Sequence, residues 1–343
     1  MTAGAGDPAS GPAHGPAHGP AHGPAHGPVP DPVPDPVREG RPGAGRGLLA
    51  WLSVLVGVAV LALGAWVVAA RWDEVGPALA EIGWGPTAAA LALTGIGVLA
   101  TGECWRTLLA ALGGRPAPLV AHRVFYVTQA GKYVPGSVWP VLAQAALARR
   151  YGVGRGTVVT ASTLFLLLHT ATGVVVGVLA VGPAVAGAWA WLLYPAGAAA
   201  LAVLLPPVLA RLLGLLARTG RVRPGTAPSW AATGRAAGLM ALAWAAYGAA
   251  TWLLLRPLLD GSSPGAVRLA VGGYALAWVV GFLAVAAPAG VGAREAVLVA
   301  VLAPLVGVAP ALSVALVSRA VLTVADLGLA AASSGVLARG RTG

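Results

Sequence analysis

From Gly47 onward the chain is a succession of long apolar runs separated by short loops that carry arginine. A membrane-spanning helix needs about 20 consecutive apolar residues. Runs of that kind predict spans at 47–70, 85–112, 156–181, 186–210, 236–256, 268–287 and 309–337. Two further runs, 124–147 and 288–307, are apolar but interrupted. The first holds Lys132-Tyr133-Val134-Pro135-Gly136-Ser137-Val138-Trp139 and the second Pro288-Ala289-Gly290-Val291-Gly292-Ala293-Arg294-Glu295. Proline lacks the backbone N–H and fixes φ, and glycine favours no single backbone state, so each run breaks there. In lipid an interrupted backbone survives only where protein covers it or where it lines a wet cavity. The expected fold is therefore all-α: a polytopic membrane protein with seven to eight transmembrane helices plus one or two re-entrant broken helices. The two breaks sit at corresponding places in two halves, which suggests an inverted repeat and a binding site between them.

Composition agrees. Of 343 residues, 57% are hydrophobic and only 10% charged, against about 25% charged in a soluble domain. The net charge of +11 does not come from the tail, where Arg38, Arg41 and Arg46 face Asp7, Asp31, Asp35 and Glu39. The excess belongs to the membrane part, where it sets topology and attracts anionic lipid rather than nucleic acid. Residues 1–46 repeat Gly-Pro-Ala-His and then Val-Pro-Asp-Pro, a composition with no apolar face, and read as a disordered tail. His14, His18, His22 and His26 read as part of a solvated repeat rather than a metal site. The first apolar run reads as an uncleaved signal anchor, and 339–343 as a short C-terminal tail. Cys104 is the only cysteine, so no intrachain disulfide can form. The dominance of arginine over the single lysine, Lys132, points to a GC-rich bacterial genome.

Loop charge orients the spans. Arg38, Arg41 and Arg46, then Arg115 and Arg123, then Arg149, Arg150 and Arg155, then Arg211, Arg218, Arg221, Arg223 and Arg235 fall on one side. The positive-inside rule makes that side, and the N-terminus, cytoplasmic. Segment 124–147 then enters from the cytoplasm and returns. Segment 288–307 either crosses, giving eight spans and a cytoplasmic C-terminus, or re-enters, giving seven; crossing is favoured by Arg339 and Arg341.

Ionisable groups at membrane depth are functional candidates because burying them is costly. Lys132 lies beside the first break. Arg294 and Glu295 lie beside the second and, being adjacent, point in different directions. Arg319 and Asp326 share one face of the last span, as a mutual contact or as part of a pathway. Glu103 and Arg106 neutralise each other or snorkel, and His169 reads as a packed, hydrogen-bonded histidine. The half-helix N-termini at the two breaks favour an anionic group such as phosphate.

The run Gly131-Lys132-Tyr133-Val134-Pro135-Gly136-Ser137-Val138-Trp139 resembles the loop that marks the flippase-like transmembrane domain of lysylphosphatidylglycerol synthases. Pro288 to Ala296 is similar to that family's second signature, a Pro-Gly-Gly-type turn leading into an Arg-Glu-Ala helix start. Cys104-Trp105-Arg106 resembles its Arg-Trp pair in reversed order, and Gln144 stands in the stretch where many relatives have a Gly-Glu…Arg continuation. The resemblance spans about 47–337 and implies movement of an amphipathic lipid between leaflets, of aminoacylated or isoprenoid-linked type. No soluble region of catalytic size follows Leu337, so aminoacyl transfer is not expected.

The expected function is a multi-pass plasma-membrane lipid translocase without covalent chemistry. The candidate substrate-binding residues are Lys132, Tyr133, Pro135, Gly136, Trp139, Gly290, Arg294, Glu295, Arg319 and Asp326. No catalytic residue, cofactor or metal is expected. The expected partners are a membrane lipid with a phosphate-bearing headgroup, a second copy of the chain, or a protein of envelope biosynthesis. The alternatives are a polyprenyl-phosphate-dependent glycosyltransferase, for which Asp73-Glu74 would supply carboxylates, and a non-transporting accessory subunit of envelope assembly. An intramembrane protease using Ser137 and His169 lacks a base-orienting partner.

Overall fold

A computed structural model describes Trp66, Ala69, Ala70, Trp191 and residues 72–133, 138–185, 194–218, 228–261, 263–284 and 290–339. The tail, most of the predicted first span, Pro135, Gly136 and Pro288 lie outside the described residues. Every regular element among those described is helical: α1 Trp72–Ile82, α2 Trp84–Ala111, α3 Pro118–Gln129, α4 Trp139–Leu147, α5 Arg155–Val185, α6 Tyr194–Val203, α7 Pro206–Ala217, α8 Trp230–Leu255, α9 Ala266–Leu283, α10 Ala293–Val306 and α11 Val308–Arg339, with short 3-10 turns at Ala130–Tyr133, Ala148–Tyr151 and Arg256–Leu258.

Five of these, α2, α5, α8, α9 and α11, are long and apolar enough to cross a membrane, and α6 with α7 makes a sixth if the bent pair counts as one. Among the described residues the count is thus five to six against the seven to eight expected for the chain, and the predicted span 47–70 lies almost wholly outside them. The predicted span 186–210 is not one straight helix in its described part: α6 and α7 meet at an 82° bend. Pro206 and Pro207 at the start of α7 remove two N–H donors, so α6 cannot continue through them.

Small residues let the spans approach closely, the usual packing solution in lipid. α2 and α8 run antiparallel, with Gly97 against the Tyr247 ring and Glu103 meeting Arg235 at 2.9 Å. α5 and α9 are also antiparallel, with Gly177 on Leu276 and Gly272 on Ala180. Cys104, on α2, has no exposed surface. A membrane-permeant maleimide should leave the folded, detergent-solubilised protein unlabelled and modify it fully after denaturation in SDS; equal rates in both states would show that α2 is not packed this way.

Two helix pairs, α3 with α4 and α9 with α10, pack as hairpins within this bundle. In the first, α3 leads into the 3-10 turn at Ala130–Tyr133 and α4 packs back beside it, with Gly131 against Trp139 and Pro140. Gly114, just before α3, touches Val153, just after the hairpin, and Leu109 at the end of α2. Both outer ends therefore lie on one face, the re-entrant path expected for 124–147. In the second, α9 and α10 pack antiparallel: Gly281 meets Arg294 near the tip and Gly273 meets Val301 and Leu298 farther out. Their outer ends lie on the opposite face, because α8 carries the chain from the Arg235 end to Leu255 before α9 begins.

Segment 288–307 holds no helix of spanning length among its described residues. α10 has 14 residues, about 21 Å of helix against a hydrocarbon core of about 30 Å. It turns straight into α11 at Gly307, whose φ of 86° suits glycine. Glu295 and Arg319, equally far on either side of Gly307, meet across that corner. α11 has 32 residues, about 48 Å, and passes both hairpin tips near its middle.

Candidate functional site

The two tips meet around a cavity enclosing about 1070 Å³ of space, its open mouth included. The first hairpin supplies Gln129, Lys132, Pro140, Val141 and Gln144 to its wall; the second supplies Gly281, Phe282, Gly290 and Arg294. Asp326 and Leu322 come from α11, and Phe165, His169, Tyr247, Tyr274 and Trp278 give it an aromatic lining.

One ion pair ties each hairpin to α11. Lys132 Nζ lies 2.5 Å from Asp326 Oδ2, with side chains 29% and 3% exposed. Tyr133 donates its hydroxyl hydrogen to the same oxygen at 2.9 Å, and Lys132 Nζ also stands 5.6 Å from the Tyr133 ring centre. From the second hairpin, Glu295 Oε1 accepts from Arg319 Nη1 at 3.1 Å. Glu295 Oε2 accepts from the Gly292 N–H at 2.6 Å, which caps α10 and places a carboxylate at its positive end. Arg319 and Asp326 thus do not pair with each other; each holds a different hairpin.

Arg294 differs from the other cations. Its guanidinium lies 5.6 Å from the Tyr274 ring centre and 3.4 Å from the Tyr274 hydroxyl. It has no carboxylate within ion-pair distance among the described residues. Its stem fits only because position 281 is glycine: a Cβ there would fall 2.1 Å from Arg294 Cγ. Gly290, with φ of 71°, lies against Gly281 so closely that a Cβ on it would sit 2.6 Å from Gly281 Cα. The second tip is therefore a contact of backbone on backbone with one arginine threaded past it.

Trp139 is 45% exposed and closes the first hairpin against Gly131, while its neighbours Pro140 and Val141 take the cavity wall. Glu103 forms more than the expected pair with Arg106: it also accepts from Arg235 at 2.9 Å and lies 3.1 Å from His122 Nε2. This cluster ties α2, α3 and α8 together away from the cavity wall. His169 is packed as expected, stacked on Trp278 with centroids 3.8 Å apart, but neither ring nitrogen has a hydrogen-bond partner among the described residues.

Sequence reasoning did not find Gln144, Tyr247, Tyr274 or Trp278 as wall residues. The Tyr247 and Tyr274 rings lie 5.3 Å apart, centre to centre, tilted by 30°. An aromatic residue inside an apolar span carries no signal of which way it faces; the nearest available one was the pair Gly272-Gly273 just before Tyr274, a mark of close packing.

A bundle of long apolar helices with two hairpins facing one charged, aromatic-lined cavity defines a multi-pass α-helical membrane protein. The family model of the lysylphosphatidylglycerol synthase TM region matches residues 51–329, and the chain belongs to that family. No curated protein matches the chain significantly.

Proposed function

We propose that this protein is a lipid translocase that binds a phosphate-bearing amphipathic lipid in the cavity and passes it between leaflets without covalent chemistry. The observation that carries this reading is Arg294: a guanidinium on the cavity wall with no carboxylate partner among the described residues. An arginine fork matches phosphate oxygens, and a low-dielectric site strengthens that contact. Lys132, already paired with Asp326, acts as a secondary ligand that phosphate can draw off its carboxylate.

The arginine-rich ends of the elements, with Arg115 and Arg123 before and within α3, Arg149, Arg150 and Arg155 after α4, and Arg235 on α8, gather on the face where the first hairpin opens. That favours a bacterial plasma-membrane protein with this face, and the N-terminus, in the cytoplasm. Asp73, the carboxylate a glycosyltransferase reading would use, lies on α1 with the elements of the opposite face, away from the cavity wall.

The test is transbilayer movement of a fluorescent phospholipid in proteoliposomes, read by dithionite quenching. Arg294→Gln should slow it about tenfold or more, the size expected for losing a charge-assisted hydrogen bond, and Arg294→Lys should recover part of the rate. A wild-type rate in Arg294→Gln at equal protein content would refute the assignment.

A further inference from the structure

Behind the Arg294 guanidinium lies a second, smaller pocket of about 280 Å³, its opening included. Arg294, Tyr274 and Leu322 line both this pocket and the large cavity, so they form the partition between the two. Arg319 and Glu295 line the small pocket alone, and most of its remaining wall is apolar, with Leu298 and Ala315 buried there.

Two guanidinium groups thus reach one small pocket that holds one carboxylate, and that carboxylate is spent. Glu295 Oε1 accepts from Arg319, and Oε2 accepts from the Gly292 N–H. A guanidinium carries five N–H donors. Among the described residues the Arg319 side chain bonds only to Glu295, and that of Arg294 only to the Tyr274 hydroxyl.

Tyr274 adds a donor of its own. It is 6% exposed, and its hydroxyl oxygen accepts from Arg294 at 3.4 Å. A guanidinium can only donate, so the hydroxyl keeps its hydrogen, for which the described residues supply no acceptor. Ser318, also on the wall, spends its hydrogen on the Ala315 carbonyl at 2.9 Å. Donors, two of them charged, outnumber acceptors around this pocket, which suits an anion and repels a cation.

Charge sets how many anions. Lys132 pairs with Asp326 and Arg319 with Glu295, which leaves Arg294 as one positive charge. The segments 134–137 and 285–289 contain no ionisable residue. One monoanion balances that charge. A dianion, or two monoanions at once, would overshoot it in a medium that screens charge poorly.

We propose that the small pocket binds one small inorganic monoanion of the chloride type, held by Arg294, Arg319 and the Tyr274 hydroxyl. The apolar remainder of the wall replaces none of the ion's hydration. Bromide, which sheds water more readily than chloride, should therefore bind more tightly, and fluoride hardly at all. Because the excess charge is one and Arg294 is shared, chloride in the small pocket and a phosphate in the cavity exclude each other. This exclusion rests on the reading of Arg294 as phosphate ligand; the chloride site does not.

The test is binding of chloride-36 to the purified full-length protein in detergent, titrated in sodium gluconate at constant ionic strength. The wild-type protein should bind saturably, one ion per chain, with displacement by bromide and not by fluoride. Ser318→Leu, which fills the pocket without removing a charged group, should abolish binding. Tyr274→Phe should weaken it about tenfold, the size of one hydrogen bond to a charged group; it keeps the ring beside Arg294 and carries the test if the larger side chain misfolds. Dihexanoyl phosphatidylmethanol, a water-soluble monoanionic lipid, should displace chloride-36 competitively. No saturable binding in the wild-type protein, or undiminished binding in both variants, would overturn the site and leave the phosphate reading intact. Failure of the lipid to displace chloride, with lipid movement still slowed in Arg294→Gln, would overturn the mutual exclusion. A wild-type rate of lipid movement in Arg294→Gln, with saturable chloride binding in the wild-type protein, would overturn the phosphate reading and leave the chloride site standing.

Discussion

Replacing Lys132 with methionine will destabilise the protein by about 3–5 kcal/mol, the range for stranding one partner of a buried pair. Asp326→Asn will cost less. The asymmetry comes from burial: the Asp326 side chain is 3% exposed and keeps, among the described residues, only the Tyr133 hydroxyl when Lys132 is gone, whereas Lys132 is 29% exposed and can turn its ammonium into the cavity. The double variant Lys132→Met/Asp326→Asn will recover most of the loss, because it buries no uncompensated charge. A double-mutant cycle on thermal unfolding in detergent measures this coupling. Additive losses would show that the two side chains do not depend on one another. Transport should separate from stability in the same set: the double variant folds but lacks the secondary phosphate ligand, so its rate stays below wild type.

Gly281→Ala will slow transport about as much as Arg294→Gln, although position 281 contributes no polar group. The added methyl would lie 2.1 Å from Arg294 Cγ and 2.8 Å from its Cδ. Contacts that short do not occur, so the arginine must leave its place over Tyr274 or the tip must spread. The second route would also part the Gly281 backbone from that of Gly290, which packs closely on it. Combining Gly281→Ala with Arg294→Ala should restore thermal stability without restoring transport. Wild-type flipping in Gly281→Ala would show that Arg294 reaches its ligand from another position.

Much of the architecture is legible in the sequence because it rests on local chemistry. The Pro/Gly interruptions of the two apolar runs mark where the described helices stop and restart, at Gln129 and Trp139 and at Leu283 and Ala293, and length alone identifies α2, α5, α8 and α11. The bend before α7 is less visible, since hydropathy averages over Pro206-Pro207 and reports one apolar run. The length of α10 was hidden for the same reason: Gly307 looks like one more small residue, whereas its φ of 86° makes it a corner. The ionisable residues of the site were all found, because charge in lipid is conspicuous. Their pairing was not. Whether Asp326 meets Arg319 on its own helix or Lys132 on a distant hairpin depends on depth and rotation, which only packing fixes. The aromatic wall and the Trp105–Ser162–Gln144 hydrogen-bond relay were silent in sequence, since tryptophan, serine and glutamine in a span look alike whichever way they face.

The Tyr133–Asp326 contact joins residues 193 positions apart, and this has a consequence for how the protein is made. At about 5–20 residues per second of synthesis, roughly 10–40 s pass between the emergence of Lys132 and that of its counter-ion. Throughout that interval the nascent chain holds a lysine for which the finished protein has a carboxylate and the unfinished one has none. The first hairpin is therefore expected to reach its final depth only once α11, made later, supplies Asp326. Truncation before α11 removes the anchor of both hairpins at once, so nascent chains arrested there should be the ones the membrane quality-control proteases take.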